Sequence, residues 1–318
     1  MQQILSISGS PHIHSPRSTD RIMWMVIIAL MPALACSLYC FGLGAAIVTA
    51  GSVLVCLVTE YVISRYMLGR RTPVFSVSAV LTGLLLAFNL PSNLPLWIVA
   101  IGGVVAIGVG KMAFGGLGCN IFNPALVGRV FLLLSFPAQM TSWPLPGADR
   151  MSYVDVSTGA TLLSSLKTGD VVQMDLMREA LGFTGGSLGE VGAVALLIGA
   201  TWLLVTRVIT WHVPVAILST VTLFALAIGS DVAVELLGGG LLLGAFFMAT
   251  DYVTSPMTHR GMMIYGVMIG VITVVIRHWG AYPEGVSFAI LIMNGVTPLI
   301  NRYVRPRKFG ERRRAYGC

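Results

Sequence analysis

Charge is what this sequence has least of. Asp, Glu, Lys and Arg make up only 10% of its 318 residues, where an ordinary soluble domain carries about 25%. Hydrophobic residues reach 56%, and mean hydropathy is +0.84. A soluble globule of this size cannot hide that much apolar surface. A soluble enzyme is therefore excluded, as is a disordered or collagen-like chain. Cysteine is scarce too. The five present (Cys36, Cys40, Cys56, Cys119, Cys318) form no CxxC, zinc or iron–sulfur spacing. The first four lie in apolar stretches and read as reduced packing thiols. The closing Ala-Tyr-Gly-Cys is not a prenylation box. No Walker box and no dinucleotide fingerprint occurs. The polar stretch Met1–Asp20 lacks the pattern of a removable signal, so insertion would use the first span.

Long apolar runs are abundant. A span needs roughly 20 mostly apolar residues to cross about 30 Å of hydrocarbon. Candidate spans fall at about 22–43, 45–64, 73–90, 95–114 and 121–137, and again at about 190–208, 213–229, 232–250, 261–277 and 282–300. The expected fold is an all-α polytopic membrane protein with about ten transmembrane helices. Its parts are a cytoplasmic lead-in (1–21), a first five-helix half (22–137), a polar loop (138–189), a second five-helix half (190–300) and a basic tail (301–318). Pro11 and Pro16, bracketing His12 and His14, keep the lead-in from forming a long helix.

Basic residues bias loops toward the cytoplasm. The tail holds Arg302, Arg305, Arg307, Lys308, Arg312, Arg313 and Arg314 against Glu311 alone, which is most of the net charge of +7. Following an apolar segment, such a tail reads as a cytoplasmic flank facing anionic lipid rather than a nucleic-acid site. An even span count then puts Arg17, Arg21, Arg65, Arg70, Arg71, Arg207 and Arg260 inside, and the 138–189 loop outside. Arg277 falls outside and is the one opposing vote.

The two halves look related. Thr72-Pro73-Val74 leads through a Gly-rich span to Asn123-Pro124-Ala125, and His212-Val213-Pro214 leads through Gly238-Gly239-Gly240 to Thr254-Ser255-Pro256. An odd number of spans per half would invert the second half, and inverted repeats place sites at broken helices near the midplane. Two breaks stand out. Gly110–Arg129 carries four glycines before Pro124, together with Lys111, Asn120, Asn123 and Arg129. Non-helical backbone at membrane depth persists only where it is buried in protein or lines a cavity, and buried cations there need partners. In Gly244–Pro256 a span ends at Asp251 beside Pro256, a membrane-level carboxylate that could carry a proton or a cation, or simply face cytoplasmic water near Arg260. Glu60, five residues before Arg65, could form at best a poor helical pair with it. In the outer loop, Asp155-Val156-Ser157-Thr158-Gly159-Ala160-Thr161 reads as a Ser/Thr turn with a sterically open hydroxyl.

That run resembles the flavinylation motif Asp-x-x-(Ser/Thr)-Gly-Ala-Thr, whose last threonine is joined to FMN by a phosphoester. Phe114–Arg129, Gly244–Pro256 and Tyr282-Pro283-Glu284-Gly285-Val286-Ser287-Phe288-Ala289-Ile290-Leu291 resemble motifs of the same family. It is the family shared by the D subunit of Rnf-type electron transport complexes and the B subunit of the Na+-translocating NADH:quinone reductase. The resemblance runs from the Pro11–Pro16 segment to Asn301, and the short N-terminus is more similar to the former.

The resemblance implies covalent FMN on Thr161, with Asp155, Thr158, Gly159 and Ala160 shaping the turn for a flavin transferase. It also implies a second, non-covalent flavin such as riboflavin, and Lys111, Asn120, Asn123, Arg129 and Asp251 are expected to contact it or to line an ion path. The implied function is electron relay coupled to Na+ or H+ movement between ferredoxin and NAD. The chain would sit in the bacterial inner membrane beside iron–sulfur, NADH-binding and second covalent-FMN subunits. No catalytic residue and no metal ligand is assigned, and the chain is expected to be inactive alone. The rivals are a secondary transporter or solute channel, which would share the inverted repeat and broken helices, and a scaffold that only docks flavin proteins.

Overall fold

In a computed structural model of the chain, the described residues are 18–69, 75–146, 192–282 and 284–305. Between 147 and 191 they are 153, 157–159, 161, 163, 182 and 185–190 only. The proline-rich lead-in, the Thr72–Pro73 start of the first repeat motif, Asp155, Ala160, Pro283 and most of the basic tail lie outside the described residues.

The first half contains α1 (Thr19–Phe41), α2 (Leu43–Val62), α3 (Val77–Phe88), α4 (Leu96–Gly108) and α5 (Pro124–Ser135). The one-turn α6 (Pro137–Met140) follows. Then comes a two-stranded antiparallel ladder of β1 (Trp143–Pro144) and β2 (Thr158–Gly159), with Trp143 opposite Gly159. The second half contains α7 (Ala193–Val205), α8 (His212–Ile228), α9 (Val232–Leu237), α10 (Leu241–Leu243), α11 (His259–Trp279) and α12 (Val286–Tyr303). Among the described residues four helical stretches are long and apolar enough to cross a membrane: Thr19–Phe41, Leu43–Met67, Leu96–Phe114 and His259–Trp279. Val77–Phe88, Pro124–Ser135, Ala193–Val205 and His212–Ile228 are shorter apolar helices.

Local sequence sets the helix ends. The side chain of Ser18 accepts from the Arg21 N–H to start α1, Thr258 accepts from the Gly261 N–H to start α11, and Asp231 accepts from the Ala233 N–H to start α9. α2 continues into a π-helical turn, Ile63–Met67, and α10 runs into another, Gly244–Met248. The span expected at 232–250 is therefore not one continuous helix. Gly238 and the left-handed Gly239 and Gly240 (φ +66° and +64°) divide it.

Helices pack in the same order in both halves: α2 on α3 and α4, and α4 on α5; likewise α8 on α9 and α11, and α11 on α12. The halves meet where α1 packs on α7 and α5 on α12. Close approach depends on small residues, as expected where lipid supplies no hydrophobic drive between helices. A Cβ on Gly199 of α7 would lie 2.0 Å from the Ala29 carbonyl oxygen of α1, and one on Gly83 of α3 would lie 2.7 Å from the Val53 Cα of α2. One continuous core links the halves through Leu30, Leu86, Phe88, Leu126, Ile217 and Ile290.

Gly199→Ala is expected to lower stability by about 1–3 kcal/mol through overpacking. Gly108→Ala, whose Cβ would meet only the Ile63 Cδ1 at 3.7 Å, should be neutral or slightly stabilising. Thermal unfolding of the two detergent-solubilised variants checks the contrast.

Candidate functional site: a cavity between two helix breaks

The two breaks noted in the sequence face one another. Past α4 the chain tightens into a 3-10 turn, Met112–Phe114, then crosses Gly115 and Gly118 at φ +113° and +86°, where a side chain would be strained. Asn123 then starts α5. Its Oδ1 accepts from the Ala125 N–H at 3.1 Å, and Pro124 sits at the first helical position. The Asn123 Nδ2 donates across to the Met248 carbonyl at 3.3 Å, the last residue of the π-helical turn in the other half. With the Asn294 amide oriented to satisfy both neighbours, it donates to the Tyr265 hydroxyl at 2.7 Å and accepts from the Asn123 N–H at 3.1 Å.

Between the breaks lies a cavity of about 440 Å³, within the rough 300–1,000 Å³ range of small-molecule sites. Leu81, Leu85, Phe246 and Phe247 give it apolar walls. Its polar groups include Lys111, Asn120, Asn123, Thr250 and Asp251. Apolar walls with a few polar groups are the usual make-up of a small-molecule site.

Lys111 is only 2% exposed. Its Nζ lies 2.5 Å from the Glu60 Oε2 and also donates to the Ser78 Oγ. The Ser76 Oγ donates to the Glu60 Oε1 at 2.9 Å. This corrects the sequence reading of Glu60. Its partner is Lys111, and Arg65, in the π-helical turn after α2, is exposed. Asp251 lines the cavity, accepting from the Thr254 hydroxyl at 3.3 Å and from the Tyr252 and Val253 N–H groups. Among the described residues no ion pair joins it to Arg260. Asn120 donates to the Phe122 carbonyl at 3.0 Å and holds the loop. Cys119, expected to be packed, is exposed on that loop.

Arg129 stands apart from the cavity. Its guanidinium donates to the Asn89 Oδ1 at 2.9 Å, the Ser287 Oγ at 2.5 Å and the Glu284 carboxylate. It ties α5 to the end of α3 and the start of α12. A second buried cation, Arg277, donates to the Glu235 carboxylate at 2.7 Å and to the Glu235 and Gly238 carbonyls. His278 lies 2.9 Å from the other Glu235 oxygen. The opposing vote of Arg277 in the charge count is thus an internal ion pair rather than a loop charge. Sequence reading missed Glu235 as a partner and Glu284 as the answer to Arg129; the signal was a lone acid and a lone base in otherwise apolar runs.

Of the outer-loop motif, Thr158 and Gly159 form β2, and the Leu145 N–H bonds the Ser157 carbonyl at 2.9 Å. Thr161 is buried at 7% exposure, not open as its small neighbours suggested. Leu163, two residues on, is buried against Gly238 and Gly239.

Residues 6–310 match the model of the NQR2, RnfD, RnfE family. The chain is 47% identical over 311 residues to the D subunit of the Na+-translocating ferredoxin:NAD+ oxidoreductase complex of Acetobacterium woodii, covering 96% of this chain and 95% of that one. It is 40% identical to the D subunit of the proton-translocating ferredoxin:NAD+ oxidoreductase complex of Clostridium ljungdahlii, covering 98% of each. It is 41% identical to the D subunit of the ion-translocating oxidoreductase complex of Stutzerimonas stutzeri, covering 93% and 94%.

Arg129→Gln leaves the Glu284 carboxylate buried without its counter-charge and should cost about 3–5 kcal/mol. Arg129→Gln/Glu284→Gln should recover a large part of that loss. Folded yield and thermal unfolding of the three proteins in detergent measure the coupling.

Proposed function

The chain belongs to the NQR2, RnfD, RnfE family, and from that premise we propose that it is the integral D-type subunit of an ion-translocating ferredoxin:NAD+ oxidoreductase. In this reading it relays electrons through flavin and contributes to moving Na+ or H+ across the bacterial inner membrane. The observation that carries the reading is the cavity walled by a broken segment from each half, with Lys111, Asn120, Asn123 and Asp251 converging on it. Near-full-length identity to subunits named for that activity supports it. Those two relatives are named for different ions, so the choice of ion rests on something finer than overall identity.

The proposed topology has ten spans in two inverted halves, with both termini cytoplasmic and 138–189 periplasmic. Two facts favour it. The helix pairing of the first half recurs in the second. α1 starts and α7 ends against the same cavity, through Thr19 and Leu203, so equivalent helices run in opposite directions.

Two flavin sites are proposed. Thr161 carries FMN as a phosphoester. The ladder of β1 and β2 holds the acceptor on one side and Leu163 on the other. Because Thr161 is buried when Leu163 is seated, the flavin transferase acts before the loop docks. The cavity takes the second, non-covalent flavin. Leu81, Leu85, Phe246 and Phe247 would contact its faces and exclude water, and Lys111, Asn120, Asn123 and Asp251 would fix its polar edge. Flavin supplies one- or two-electron chemistry; the protein supplies position and potential. The chain holds no iron–sulfur cysteine set and no dinucleotide fingerprint, so those cofactors reside in partner subunits and the chain is inactive alone.

A secondary transporter or channel would share the paired helix breaks, but it would carry no covalent chromophore. In-gel fluorescence after denaturation separates the readings. The wild-type protein should give a fluorescent band that Thr161→Ala abolishes. A band that persists in the variant overturns the anchor, and no band in wild type overturns the flavin relay.

A further inference from the structure

We propose that the Lys111–Glu60 pair sets the reduction potential of the cavity flavin, Lys111 supplying positive potential and Glu60 attenuating it. The inference rests on the reading of the cavity as a flavin site. It assigns a function to an ion pair that helix packing alone does not require.

Three observations carry it. First, the pair joins α2 to the broken segment after α4 and presents its cationic member to the cavity. Lys111 follows α4 in the broken segment, and Lys111 and Ser78 both line the cavity. Second, the ammonium is nearly inaccessible, 2% exposed, and its three N–H groups meet two protein acceptors among the described residues, Glu60 and Ser78. A third donor is left for a ligand. Third, the carboxylate is itself held in place. The Ser76 hydroxyl fixes the Glu60 Oε1, and Ser76 and Ser78 lie 3.2 Å apart, closing a four-residue ring of Lys111, Glu60, Ser76 and Ser78. Such a ring fixes the distance between each charge and the cavity.

The electrostatic consequence follows from sign. An electron added to a bound group makes it more negative. A fixed positive charge nearby in a weakly screened interior favours that state, and a fixed negative charge opposes it. Lys111 therefore raises the potential and Glu60 lowers it. Glu60 stands behind Lys111 as seen from the cavity, since Lys111 lines it and Glu60 does not. The nearer cation therefore dominates, and the pair leaves a net positive field. Asp251 and Tyr252, the other ionisable side chains on the wall, are unchanged in every variant below, so their contribution cancels in the differences.

The test is a redox titration of the purified complex, followed by flavin absorbance, with the covalent flavin as internal reference. Flavin content is measured first, before and after denaturation and removal of unbound flavin. Glu60→Gln should raise the midpoint of the reversibly bound flavin, and Lys111→Gln should lower it. Glu60→Gln/Lys111→Gln should return it toward the wild-type value. Lys111→Arg and Glu60→Asp keep the charges and should stay near wild type. A pair with a merely structural role would weaken flavin retention in both single variants without shifting the midpoint in opposite directions. Equal or same-sign shifts overturn the inference while leaving the cavity reading intact. Wild-type complex that releases no flavin on denaturation overturns the cavity reading, and the inference with it. Where Lys111→Gln does not assemble, the pairing of Glu60→Gln with Glu60→Asp still decides: a rise in the first and none in the second supports the proposal, and no difference between them overturns it.

Discussion

An ionised side chain inside an apolar bundle is tolerated only with its counter-charge and hydrogen bonds in place. Among the described residues three buried cations impose that constraint, and each is answered from a distant part of the chain: Lys111 by Glu60, Arg129 by Glu284 and Arg277 by Glu235. Each lies where regular helix is interrupted or ends. Lys111 opens the broken segment after α4, Arg129 meets the ends of α3 and α12, and Arg277 binds carbonyls at the end of α9. The pairs thus supply donors or counter-charges at places where backbone groups have lost helical partners, and they fix the positions of the breaks. Removing one member of a pair would free a break as well as expose a charge.

Much of the helical framework was legible in the sequence, because hydropathy reports on the medium around a segment and the segments are long. The interruptions were legible in part. Gly115, Gly118 and Pro124 mark backbone in the first half that cannot stay helical, whereas in the second half the expected break was placed at Gly244–Pro256 and the one at Gly238–Gly240 fell inside an expected span. The need of Lys111 and Arg129 for partners could also be inferred. Which acid answers which base could not, since Glu60 lies 51 residues from Lys111 and Glu284 lies 155 from Arg129. Local spacing offered Glu60 only a poor partner in Arg65, which is exposed in the π-helical turn after α2. The separation of Arg129 from the cavity was equally invisible, because sequence proximity to Asn120 and Asn123 says nothing about which face of α5 a residue occupies in the packed bundle.

The cavity and the outer loop differ in how they are held. The cavity is walled by residues of the helix bundle, from α1 and α3 as well as from the two broken segments. Among the described residues of the Thr161 segment, the two-residue ladder of β1 and β2 and the contact of Leu163 with Gly238 and Gly239 tie it to the rest of the chain.

The π-helical turn Gly244–Met248 holds one residue more per hydrogen-bonded loop than an α-helix. Its final carbonyl, at Met248, is gripped by the Asn123 amide from the opposite half. Tightening this turn to α-helical register would swing that oxygen round the helix axis and break the grip. The surplus residue therefore works as a latch: the second half cannot rewind without letting go of the first, and the two sides of the cavity must shift together or separate.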